Sequence, residues 1–209
     1  MMRGRHVEAP RHPLGLRCEQ IAEFERLLWV EPDYNKESPA EYTVKYDSDD
    51  STLITVTGKK YGDRRVREFR DSSGLPMFET QRVRPAIRWL KPWRVHLPGN
   101  DEDLAEIKLK WKPCDFDITF RNVMAEDAKK EEDKLATVQV RRTSPALCTF
   151  AVYAEDRKVV DIRESVILNR TVSITGNMTR VSSSSHQPTR AIMDVLVAED
   201  FDLSLVSLN

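Results

Sequence analysis

From Glu41 onward, apolar side chains return at every second residue in short runs divided by turn residues, and a chain so patterned has few folds open to it. Tyr42, Val44 and Tyr46 alternate with Thr43 and Lys45 before the acidic turn at 47–50. A β-branched run over 53–57 ends at Gly58, and these two runs read as a hairpin. Residues 66–70 form a short strand closed by the turn 71–74, and the next strand spans 75–83. Trp93, Val95 and Leu97 alternate with Arg94 and His96 until Pro98-Gly99-Asn100 breaks the run. In 106–112, Ile107, Leu109 and Trp111 face one side and Lys108, Lys110 and Lys112 the other. Phe116, Ile118 and Phe120 follow, then Val138 with Val140, 149–153, 159–163, 167–174 and 191–198. The polar stretch 125–134 reads as a loop or short solvated helix, and 182–185 as a flexible loop. About ten such strands predict a sandwich or a barrel, and closure would remove the edges that invite aggregation.

The first forty residues follow another rule. Residues 1–16 carry Pro10, Pro13, Gly4 and Gly15 among basic side chains and read as a flexible tail. Over 17–30, Cys18, Ile21, Phe24 and Leu28 recur at helical spacing, which predicts a short amphipathic helix. Pro32 and Pro39 bracket a linker. The expected organisation is an N-terminal tail with its helix over 1–40 and one β domain over 41–209, a length that suits a single barrel.

Composition narrows the partners. Thirty-three Lys+Arg against 34 Asp+Glu give a net charge of -1, so nothing global favours nucleic acid. Cys18, Cys114 and Cys148 form no CxxC or zinc spacing and are expected to be reduced and partly buried. The basic N-terminus has no apolar segment behind it and does not read as a secretory signal. No run approaches the ~18 apolar residues of a spanning helix. A cytosolic or nuclear compartment is expected, with the sequons at Asn169 and Asn177 idle there.

The segment 52–98, TLITVTGKK…REFRDSSGLPMFETQR…KPWRVHLPG, resembles the LURP-one-related family, whose chains carry a "V-x-G", a "D-x-x-G-x-P-L-hydrophobic" turn and a Trp-containing strand. The C-terminal AIMDVLVAEDFDLSLVSLN is similar to that family's closing "V-x-V-A-x-G-x-D-x-x-L" motif and keeps Phe201-Asp202-Leu203-Ser204-Leu205, as in fungal-type members. The resemblance implies a tubby-like fold: a closed antiparallel β-barrel of about twelve strands around a hydrophobic C-terminal helix. Phe201, Leu203, Leu205, Val206 and Leu208 would form that axial plug. The chain ends at Asn209, about two helical turns after Asp202. So short a plug should leave unfilled volume, at a cost on the order of 24 cal/mol per Å3.

The most suggestive surface feature is a basic stretch. Between Gly58 and Pro98 eleven Lys and Arg face four Asp and Glu, a local excess of +7, with Trp89 and Trp93 among them. Cations near an anionic leaflet contribute ~1 kcal/mol each, and indoles favour the headgroup region. Lys59, Lys60, Arg64, Arg65, Arg67, Arg88, Lys91 and Arg94 are therefore candidate contacts for phosphoinositides or acidic phospholipids at a cytosolic membrane surface. Tubby proteins have that activity, so the resemblance implies a precedent on this fold. The bland reading of such a run is a solvated surface. The alternative function is a protein-interaction scaffold, with the helix within 21–30 docking on a partner or on the barrel itself.

Other clusters favour structural readings. Lys108, Lys110 and Lys112 suit protection of an exposed sheet edge. Asp115 and Asp117 share a strand face, but no group at suitable spacing supports acid–base chemistry. Glu199, Asp200 and Asp202 lack the spaced ligands of a calcium loop and suit a helix N-terminus. His6, His12, His96 and His186 match no metal motif, and no phosphate-binding or nucleophile-elbow glycine pattern occurs. The sequence thus points to a non-catalytic binding module with no cofactor.

Overall fold

In the computed structural model, the residues described are 5–33, 41–61, 64–82, 92–100, 102–110, 114–125, 127, 130–144, 149–165 and 192–208. Twelve strands close into one barrel: β1 (Arg26–Pro32), β2 (Tyr42–Tyr46), β3 (Thr52–Tyr61), β4 (Arg64–Asp71), β5 (Pro76–Arg82), β6 (Trp93–His96), β7 (Asp103–Leu109), β8 (Phe116–Arg121), β9 (Leu135–Ser144), β10 (Thr149–Ala154), β11 (Arg157–Glu164) and β12 (Met193–Val197). Each strand pairs antiparallel with the next, and β12 returns to β1. The closing register sets Leu28 opposite Val195 and opposite Tyr46, so three apolar side chains meet inside the seam.

The alternation read from the sequence becomes inside and outside. Tyr42, Val44 and Tyr46, Val56, Phe69 and Phe78, and Val138 with Val140 all join the core. An eight-stranded barrel is just filled by its own side chains, and a larger ring needs something along its axis. Here that filler is the chain's own end. A single helical turn, α1 (Leu203–Val206), lies inside, and Phe201, Leu203, Leu205, Val206 and Leu208 are all buried.

One sequence expectation fails at β1. Residues 17–30 do not form an amphipathic helix: a 3-10 turn at Cys18–Gln20 is followed by the strand Arg26–Pro32. The helical spacing was accidental, because Phe24 is half-exposed beneath the Arg26 guanidinium, 3.6 Å from its ring, while Leu28 alone of that set is fully buried. Short apolar runs fit either period, and the demand for a strand between β2 and β12 decides this one. The barrel therefore begins at Arg26, upstream of the expected boundary at 41.

The expected flexible tail is also structured from Arg5 onward. Val7, Leu14, Leu16 and Ala22 join the core. Arg5 reaches Asp161 and Asp194 on the outer wall at 3.8 and 3.5 Å, and the Glu8 amide donates to the Lys158 carbonyl. Of the cysteines, Cys18 and Cys114 are exposed rather than partly buried, and Cys148 lies outside the described residues. The lysine ladder has no edge to protect, since β7 is paired on both sides. Lys108 instead meets Glu106 at 2.8 Å and Lys110 meets Asp117 at 2.9 Å, while Lys112 is outside the described residues. The expected strand 167–174 and both sequons also fall outside them.

Candidate functional site

The barrel has two unlike mouths. At the first lie the turns after β2, β4, β6 and β10 and the end of β12. The N-terminal segment seals it. Residues 200–202 run between two pieces of that segment: Leu14 N–H donates to Asp200 O and Asp202 N–H to Leu14 O, while Ala22 N–H donates to Phe201 O and Asp200 N–H to Ala22 O. Asp202, fully buried, accepts the Leu16 and Arg17 amides on Oδ2 at 2.7 and 2.8 Å and the Ser204 amide on Oδ1 at 2.7 Å. It caps α1 and ties the tail to the plug with one side chain. Asn122 adds a second clamp, accepting the Gly15 amide and donating to the Pro13 carbonyl. A Cβ at Gly15 would lie 2.5 Å from Ile21 Cδ1 and 3.3 Å from the Arg17 carbonyl oxygen, so the Ile21 side chain would have to shift to admit one. Burial pushes the Asp202 carboxyl above its ordinary range, against the downward pull of its hydrogen bonds. A structural cap accounts for the acidic cluster here, and among the described residues no group of three or more His, Cys, Asp or Glu could hold a metal ion.

The second mouth, at the Tyr61/Arg64, Arg82/Trp93 and Leu109/Phe116 strand ends, has no closing segment among the described residues and is the open mouth in that sense. A cavity of about 180 Å3 enters the barrel there. Phe69, Trp93, Ile107, Leu109 and Phe116 form its walls, and Leu208 at the end of the plug borders it. Two polar residues line the space, Arg67 and Thr80. Register explains why there is room: Arg67 stands opposite Gly58 on β3 and Thr80 on β5, two small residues. Its guanidinium lies 5.5 Å over the Trp93 ring. Tyr42 donates its hydroxyl hydrogen to the Ser207 carbonyl, anchoring the plug near the cavity. Burial pushes the Tyr42 phenol up to about 12, with Arg67 acting in the opposite direction.

The eight candidate lipid contacts do not form one cluster among the described residues. The β3–β4 ladder brings Lys59, Lys60, Arg64, Arg65 and Arg67 along one hairpin toward the open mouth, with Lys60 opposite Arg65 and Lys59 opposite Val66. Arg67 faces inward and lines the cavity. Arg94 is on the outer wall, exposed and paired with Asp103 at 3.0 Å. Arg88 and Lys91 lie outside the described residues. Arg70, from the same basic stretch, is engaged at the sealed end by Glu68 and the Gly74 carbonyl. Sequence reasoning missed Tyr42, Thr80 and Phe116 and the position of the cavity. One signal was available: Arg67 sits two residues before Phe69 on an alternating strand and so shares its inner face.

A closed antiparallel barrel that holds its own C-terminal segment on its axis defines the class. A family model for LURP-one-related proteins matches residues 28–208, and the chain belongs to that family. The X-ray structure of a protein from Arabidopsis thaliana is similar in fold, with a TM-score of 0.54 at 14% identity over 94% of this chain and 93% of that one. No curated protein sequence matches the chain. Among the described residues, no helix is long and apolar enough to cross a membrane.

Proposed function

We propose that this barrel is a non-catalytic binding module that engages phosphoinositides or other acidic phospholipids at the cytosolic surface of a membrane, with the open mouth toward the leaflet. The observation that carries this reading is the β3–β4 hairpin, whose register gathers Lys59, Lys60, Arg64, Arg65 and Arg67 at one end of the molecule. Each cation near an anionic surface contributes ~1 kcal/mol, so four or five together support reversible recruitment. Arg88, Lys91 and Arg94 extend the same reading along the chain. The described side chains at this mouth suit binding better than reaction: Arg67 and Thr80 are the polar residues of an otherwise apolar cavity. Co-sedimentation with vesicles containing phosphoinositide tests the proposal. Binding should weaken steeply with salt and fall at least tenfold in an Arg64→Glu/Arg65→Glu double variant. Equal binding to neutral vesicles, or none to either, rejects it.

The alternative, a protein-interaction scaffold, draws support from the opposite end. Leu75, Leu97, Met124 and Leu135 are exposed on or beside the turns of the sealed mouth. The N-terminal segment, once the expected docking element, is itself packed on the barrel. Under this reading, aspartate at Leu75 and Leu135 abolishes partner capture and leaves vesicle binding unchanged.

A further inference from the structure

We infer that the cavity at the open mouth is a binding site for a small apolar monocarboxylate, which buries its hydrocarbon body between Phe69, Ile107 and Phe116 and pairs its carboxylate with Arg67. The volume of about 180 Å3 exceeds the roughly 150 Å3 of an engineered apolar cavity that takes up benzene. Its lining is mostly hydrocarbon and aromatic, which favours an apolar body over water. The cavity is open on one side, so a charged head can remain near solvent while the tail is inside.

The charge selects the head. No carboxylate among the described residues pairs with Arg67, in contrast to Arg94, Arg17 and Arg163, which each meet an acidic side chain. The Arg67 guanidinium carbon lies 5.5 Å from the Trp93 ring centroid, a cation–π distance that engages the ring face and takes up no carboxylate-binding N–H pair. A carboxylate matches that fork with two parallel hydrogen bonds. Thr80, opposite Arg67 in register, supplies a hydroxyl beside the same position. A cationic ligand would face Arg67 across an apolar gap, and a neutral one would leave the guanidinium unmatched. This site shares Arg67 with the headgroup surface already proposed but needs none of its other cations: its ligand enters the barrel and is read by that one arginine.

Isothermal titration calorimetry with octanoate, 1-octanol and octylamine on the full chain is the test. Octanoate should bind one per chain with a high-micromolar to millimolar Kd, octanol at least tenfold more weakly, and octylamine not at all. Arg67→Met should weaken octanoate at least tenfold and leave octanol unchanged, while Leu109→Trp, which narrows the mouth, should weaken both. Arg64→Glu/Arg65→Glu should leave octanoate binding intact, which separates this site from vesicle binding. Absence of octanoate binding at several millimolar overturns the inference, as does equal affinity for octanoate and octanol. The comparison of the three ligands needs no variant, so it decides even if Arg67→Met fails to fold.

Discussion

At one end of the barrel Asp202 takes up three backbone amides and the chain threads between two pieces of its own N-terminal segment. At the other, Leu208 borders about 180 Å3 of open space and an arginine points into it. The same plug touches both. The sealed end pairs the polar groups of its clamp with one another; the open end withholds packing, and the withheld volume is what a ligand can occupy. A barrel too wide to be filled by its own side chains can be finished at one mouth and left receptive at the other.

Truncation along the plug is the strongest way to break this contrast. Phe201→Ala, at a residue 1% exposed on the sealed side, should cost about 3–5 kcal/mol. Leu208→Ala should cost about 2 kcal/mol, the low end for its type, because the removed atoms already border a void. Urea midpoints at constant m-value measure both. Equal losses at the two positions would mean that the plug is uniformly packed and the mouths are not distinct.

Asp202→Asn should have the next largest effect. An amide offers an acceptor on one side only, so at least one of the Leu16, Arg17 and Ser204 amides loses its partner, for about 1–3 kcal/mol. The pH dependence runs opposite to that of most carboxylates. Burial raises the folded-state pKa of Asp202, so its contribution is fully present below the ordinary carboxylate range and is lost as pH rises through that raised value. The deficit of the Asn variant should therefore narrow with rising pH. A deficit that widens instead would show that the hydrogen bonds outweigh desolvation.

Much of this contrast could be read before any coordinates. Period-two spacing gave most of the strands, and the resemblance over 52–98 and the closing motif gave the ring and the axial segment, because inside-and-outside alternation leaves a direct mark on residue order. What could not be read was β1, where Cys18, Ile21, Phe24 and Leu28 mimic a helix until the seam with β12 imposes a strand. Nor could the cap of the sealed mouth, since the bonds joining Asp202 to Leu16 and Arg17 span some 185 residues and leave no periodic trace. The basic stretch was legible as charge but not as geometry: pleating sends Arg67 inward and Arg94 outward, which a count of charges does not resolve.

The smallest effect tests how the plug's far end is held. Tyr42→Phe removes the hydroxyl that donates to the Ser207 carbonyl and should cost about 0.5–1.5 kcal/mol near neutrality. The folded-state pKa of Tyr42 is pushed up to about 12 from an ordinary value of 10.0, so the stability it contributes is fully present below pH 10 and is lost as pH rises from there through 12. Wild type should thus converge on the Phe variant in alkaline denaturation curves while the two stay parallel between pH 6 and 9. Octanoate should also bind the variant, because Arg67 and the cavity walls are untouched. If Tyr42→Phe abolishes octanoate binding without unfolding the chain, the open mouth depends on the anchored plug as its floor, and the two ends of the barrel are less independent than their construction implies.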